Sequence, residues 1–82
     1  MLKAIIYVSL KSGVLDPQGE TVKHALHSLG HAQVEDVRMG KYLSIKIAGR
    51  DRRAATAQVE DMCRKLLANP VIENYRFEIQ EI

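Results

Sequence analysis

The sequence predicts an α+β fold of two layers, a mainly antiparallel sheet with two helices on one face, in the order β-α-β-α-β. Three observations predict it. Apolar and mixed residues alternate from Leu2 to Leu10, the period of a strand. Two later segments, opening at Asp16-Pro17 and at Asp51, change to the three-to-four spacing of an amphipathic helix. Strand-like alternation returns from Val34 to Ile47 and again from Val71 to Ile82. Helices and strands in this order pack as one helical layer on one sheet.

The first strand places Leu2, Ala4, Ile6, Val8 and Leu10 on a fully apolar face, the side for helices. Its other face, Lys3, Ile5, Tyr7 and Ser9, is half apolar, although a wetted face would be more polar. After Lys11-Ser12-Gly13-Val14-Leu15, Asp16 is suited to cap a helix and Pro17 to open it, since proline lacks a donor that position does not need. The helix carries Val22, Ala25, Leu26 and Leu29 on one stripe and ends at Gly30, a natural left-handed cap. In the next segment Val37, Met39, Leu43, Ile45 and Ile47 share one face, while Asp36, Arg38, Tyr42, Ser44 and Lys46 share the other. Gly40 weakens any ladder there and marks a bulge, a bend or a turn, with one bent strand the preferred reading.

Asp51 is expected to cap the second helix, whose stripe is Ala55, Val59, Met62, Cys63, Leu66 and Leu67. Arg64 and Lys65 suit the negative end of its dipole, and Asn69-Pro70 stops it. In the last strand Tyr75, Phe77 and Ile79 point to the core, and Asn74, Arg76, Glu78 and Gln80 away. The uncovered sheet face then shows Ile5, Tyr7 and Tyr42 among charged groups, a mixture expected of a self-association surface.

A chain of 82 residues is read as one domain, 1–82, with a core small enough to make oligomerisation the first expectation. The single cysteine, Cys63, excludes an internal disulfide and a Cys-rich zinc site. The net charge of +2, with both signs interspersed, gives no basic stripe for a nucleic-acid duplex. No secretory leader and no membrane-length apolar run is legible, so a cytoplasmic protein is expected.

No set of residues assembles a catalytic constellation. His24, His27 and His31 have a spacing that a metal could bridge, but no fourth ligand stands near them and Gly30 ends the helix between the last two; solvated surface is the plainer reading. Cys63 sits on an apolar stripe, where a thiol acts as a small hydrophobe. Asp16 and Glu20 are explained by the start of a helix rather than by acid–base work. Arg50, Arg52 and Arg53 form the densest basic cluster, divided by Asp51 and poor in aromatics for stacking on RNA. The glycines are too scattered for a phosphate loop. Residue chemistry alone leaves open a small-molecule sensor, an RNA-binding module that would use Tyr7 and Tyr42, or an assembly subunit; a stand-alone enzyme fits least.

Three stretches carry a family likeness: Val14-Leu15-Asp16-Pro17-Gln18-Gly19 continuing to Leu29-Gly30, Val34 to Tyr42 around Val37-Arg38-Met39-Gly40-Lys41, and Cys63 to Tyr75. In this order they resemble the PurS family, small subunits of phosphoribosylformylglycinamidine (FGAM) synthase. The resemblance implies a non-catalytic partner in a purine-biosynthetic ligase that uses glutamine and ATP with magnesium to convert FGAR to FGAM. It implies no cofactor on this chain. It also implies self-association as a dimer or tetramer, and a bridge between synthetase and glutaminase subunits that helps ammonia pass. On that resemblance Asp16, Pro17, Gln18, Gly19, Arg38, Gly40 and Lys41 are the expected contacts to the larger subunits.

Overall fold

The computed structural model describes residues 1–82. Its elements are β1 (Leu2–Leu10), α1 (Pro17–Ser28), β2 (Gly40–Ile47), α2 (Arg52–Met62) running into a π-helical turn (Cys63–Leu67), and β3 (Glu73–Glu81). The strands form one sheet in the order β2-β1-β3, antiparallel at both contacts. The register sets Ile6 between Leu43 and Phe77 and Ala4 between Ile45 and Ile79, so the apolar faces of all three strands coincide.

The core forms where α2 crosses that face. Ala4, Ile6 and Val8 pack with Val59, Cys63 and Ala68, all buried. The Tyr75 hydroxyl donates to the Glu60 carboxylate at 2.6 Å and ties β3 to α2. The helical stripe steps from Ala55 to Val59 to Cys63 and then to Ala68. That last step of five residues is the π turn, closed by the Ala68 amide on the Cys63 carbonyl at 3.0 Å. An ordinary helix would have kept Leu66 on the stripe, as the sequence pattern predicts. The extra residue in the turn rotates it away, and Leu66 is 81% exposed.

Two further expectations are corrected. The segment Val34–Met39 is not part of the strand, and β2 begins only at Gly40. Its backbone runs back along α1 instead: His27 Nε2 lies 2.8 Å from the Val34 carbonyl, the Asp16 carboxylate takes the Met39 amide, and Gly19 faces the Val37 carbonyl. The second correction concerns the helices. Only α2 covers the sheet, and α1 makes no more than marginal contact with any other element. Its stripe is uncovered accordingly, with Val22 and Leu26 half-buried, Ala25 exposed and Leu29 75% exposed.

Helix α1 and its return segment therefore form an arm. A nine-residue strand spans about 30 Å and a twelve-residue helix about 18 Å. Laid end to end they match the 49 Å long axis of the molecule. The radius of gyration is 16.3 Å, against about 12 Å for a compact domain of this length. The arm turns back through Gly30 (φ +100°), where the Gly30 and His31 amides close on the His27 and Leu26 carbonyls. It rejoins the sheet at Gly40, where an added Cβ would stand 2.4 Å from the Val8 carbonyl oxygen. Replacing Gly40 by Ala should lower stability by about 1–3 kcal/mol through this overpacking. An unchanged urea midpoint in the variant would show that the strand entry yields without cost.

Candidate functional site

The candidate surface lies at the end of the sheet where β1 finishes and β2 and β3 start, because antiparallel neighbours bring those termini together. Four loop segments meet there, and hydrogen bonds join them. The Lys11 amide donates to the Ile72 carbonyl at 2.8 Å, and Arg38 donates to the Lys11 carbonyl at 3.1 Å. Lys41 donates to the Leu67 carbonyl at 3.0 Å, satisfying an acceptor that the helix end leaves free.

Asp16 is the only buried charged residue of the chain, 5% exposed. One carboxylate oxygen accepts the Gly19 amide at 2.8 Å, the expected cap, and the other accepts the Met39 amide at 2.7 Å. These two bonds, with the Arg38 charge nearby, hold the carboxyl pKa below its ordinary 3.8 against the opposing effect of burial. Pro17 occupies the first helical turn, exposed. Gly19 is buried against the Val37 carbonyl, whose oxygen an added Cβ would overlap.

Asp16, Gln18, Gly40 and Lys41 line one shallow cleft of about 280 Å³ with Leu10, Met39 and Glu73. The structure thus brings together most of the residues that the family likeness singles out as contacts, and it adds Glu73, which lies in the third matched stretch without a role that the sequence assigns. The Glu73 carboxylate accepts the Asn69 amide at 2.7 Å and lies 3.9 Å from Lys41 Nζ. A carboxylate three residues after Pro70, at a turn whose amides need acceptors, was the signal available in the sequence.

The outer sheet face is a separate surface. Tyr7 and Tyr42 meet edge to face at 5.5 Å, and the Arg76 guanidinium lies 4.0 Å from the centre of the Tyr7 ring. Tyr42 is 63% exposed, but Ile5 is only 3% exposed within the chain itself, so it has little area left for a partner. Of the other residues weighed, His24 stands 3.9 Å from Glu20 on the exposed helix, and His27 is engaged with Val34. Cys63 is fully buried, where desolvation first and the nearby Glu60 charge second push its thiol pKa up. Arg52 donates to the Ile79 carbonyl on the edge of β3, while Arg50 and Arg53 are solvated.

Because its pKa is lowered, Asp16 contributes stability above pH 3.8 and loses it as the pH falls through the lowered value. Asp16→Asn should therefore be less stable than the parent chain at neutral pH, with the gap closing below pH 3.8. Urea unfolding across that range checks it; a gap independent of pH would contradict the assignment.

Comparison with known proteins bears on this geometry. The family model described as PurS, phosphoribosylformylglycinamidine (FGAM) synthase, matches residues 3–81. The chain is 54% identical over 82 residues to the phosphoribosylformylglycinamidine synthase subunit PurS of Bacillus subtilis, covering all of this chain and 96% of that protein. Identity to the same subunit of Methanocaldococcus jannaschii is 42%, over 100% of this chain and 99% of that one. The solved structure of Bacillus subtilis PurS matches with a TM-score of 0.88 at 53% identity, covering 99% of this chain and 100% of that one. A chain in the structure of PurLQS from Thermotoga maritima matches with a TM-score of 0.82 at 30% identity, covering 98% and 99%.

Proposed function

This chain belongs to the PurS family of FGAM synthase subunits, and on that premise we propose that it binds the enzyme's larger subunits and bridges them without supplying a reacting group. The observation that supports a role in assembly is the arm. A twelve-residue helix that leaves its apolar stripe off its own sheet is built to be covered by something else. The charged and nucleophilic groups point the same way. Asp16 caps and clamps, Glu73 closes a turn, Cys63 fills the core, and Tyr75 is spent on Glu60.

Self-association is part of this reading, and the same geometry supports it. On the helix-bearing face, α2 packs over β1 and β3, which leaves Leu43, Ile45 and Ile47 of β2 only half-buried. The stripe of α1 and this half-open strand face are complementary apolar surfaces that one chain does not join. Two copies exchanging arms satisfy both. ATP and magnesium are then assigned to the larger subunits, and glutamine hydrolysis to a glutaminase. This chain aids ammonia transfer by bracing the contact between them, in the cytoplasm.

Reconstitution tests the function: glutamine-dependent FGAM formation by the larger subunits from the same source should require this chain, and the chain alone should turn nothing over. Full activity without it would refute the reading. Leu29→Glu, a change at an exposed position, should weaken self-association at least tenfold by sedimentation; an unaltered assembly would remove the arm from the interface.

A further inference from the structure

The end of the sheet that holds the cleft also concentrates exposed apolar side chains. Leu15, Met39, Leu66, Val71 and Ile72 are five of the nine large hydrophobic residues that the fold leaves exposed. Topology puts them in the four loop segments that meet there: before α1, before β2, in the π turn, and before β3. Two of them have identifiable physical causes for their exposure. The π turn rotates Leu66 off the core stripe to 81% exposure. The turn that follows is fixed by Asn69, whose side chain accepts the Val71 amide at 3.1 Å and whose carbonyl takes the Ile72 and Glu73 amides; it presents Val71 at 80% exposure.

The backbone beneath these side chains is pinned by the Lys11–Ile72, Arg38–Lys11 and Lys41–Leu67 bonds. A rigid, pre-ordered surface with apolar groups around a polar cleft has the anatomy of a protein interface and loses little freedom on binding. Its charge is positive as well. Lys11, Arg38, Lys41, Arg64 and Lys65 stand against Asp16, Glu73 and Asp61, the last 3.2 Å from Lys65, a net +2.

We propose that this end docks onto an apolar, acid-rimmed surface of a larger subunit of the synthase, with Leu66 and Val71 as the apolar anchors. The inference rests on the assembly-subunit reading above. Charge decides the occupant: a symmetric contact with a second copy would set +2 against +2, whereas an acidic rim complements it. A second copy moreover has its own complementary place, on the arm and the open face of β2.

The test titrates the Leu66→Glu/Val71→Glu double variant into the larger subunits from the same source and follows glutamine-dependent FGAM formation, with sedimentation of the variant alone in parallel. Expected are an unchanged oligomeric state and at least a tenfold rise in the concentration for half-maximal activity, with the plateau recovered at saturation. Leu66→Met/Val71→Ile, which keeps the anchors apolar, should behave as the parent chain. Unchanged half-saturation in the glutamate variant overturns the docking surface. A loss of self-association in that variant overturns it as well, because the covering partner is then a second copy. If the parent chain gives no stimulation, the assembly reading itself has failed and the docking surface falls with it.

Discussion

The whole shape of this molecule depends on what the Asp16 carboxylate holds. As a helix cap it uses one oxygen, on the Gly19 amide, and any small domain contains such a bond. The second oxygen takes the Met39 amide, twenty-three residues along the chain, and so joins the start of the arm to its end. Between those points the chain has left the sheet, formed a helix, reversed at Gly30 and returned. Gly19 lets the return segment lie against the first turn of the helix, where a methyl group would overlap the Val37 carbonyl. The clamp thereby delivers Gly40 to the point where it can approach Val8 and begin β2. A neutral side chain that accepts a single bond would leave one of the two ends without its partner.

The sheet itself was legible because strand periodicity is local and unambiguous. Alternation from Leu2 assigns Leu2, Ala4, Ile6, Val8 and Leu10 to the apolar face, and the structure buries the first four and half-buries Leu10 at the strand's end. Both helix starts were legible from Asp16 and Asp51, each of which caps through its side chain. What periodicity does not report is where an amphipathic stripe is buried. The stripe Val22, Ala25, Leu26 and Leu29 reads the same whether a helix lies on its own sheet or on another chain's. Alternation misled between Val34 and Met39, because the pattern suits an extended segment and says nothing of its neighbour. That segment runs beside α1, with the Met39 amide engaged by Asp16 and the Val34 carbonyl by His27 rather than by a ladder.

The cleft was legible in one respect and hidden in another. Family likeness marked Asp16, Gln18, Gly40 and Lys41, and the structure gathers them around one depression. The pattern gives Glu73 no role of its own and places Leu66 on the buried stripe, because the roles of both arise from breaks in regular structure. The π turn inserts one residue into the helical phase, and nothing in Cys63-Arg64-Lys65-Leu66-Leu67 announces it. The burial of Ala68 in register with Val59 and Cys63, and the bond from its amide to the Cys63 carbonyl, show that the phase has slipped.

Such breaks carry a physical implication for a subunit without reacting groups. An ordinary helix would bury Leu66 and add to a small core, and an arm folded back on β2 would close a compact monomer. This chain does neither, and each departure moves apolar area from the interior to the surface. A protein of this size has little stability to spare. The apolar area withheld from its own core is recovered only when another surface covers it, so folding and assembly are coupled. The same coupling explains why the polar groups at the sheet end are so fully bonded within the chain. A surface that is to meet a partner in one orientation must be fixed before the partner arrives, and Asp16, Lys41 and Glu73 supply that rigidity where the apolar core stops short.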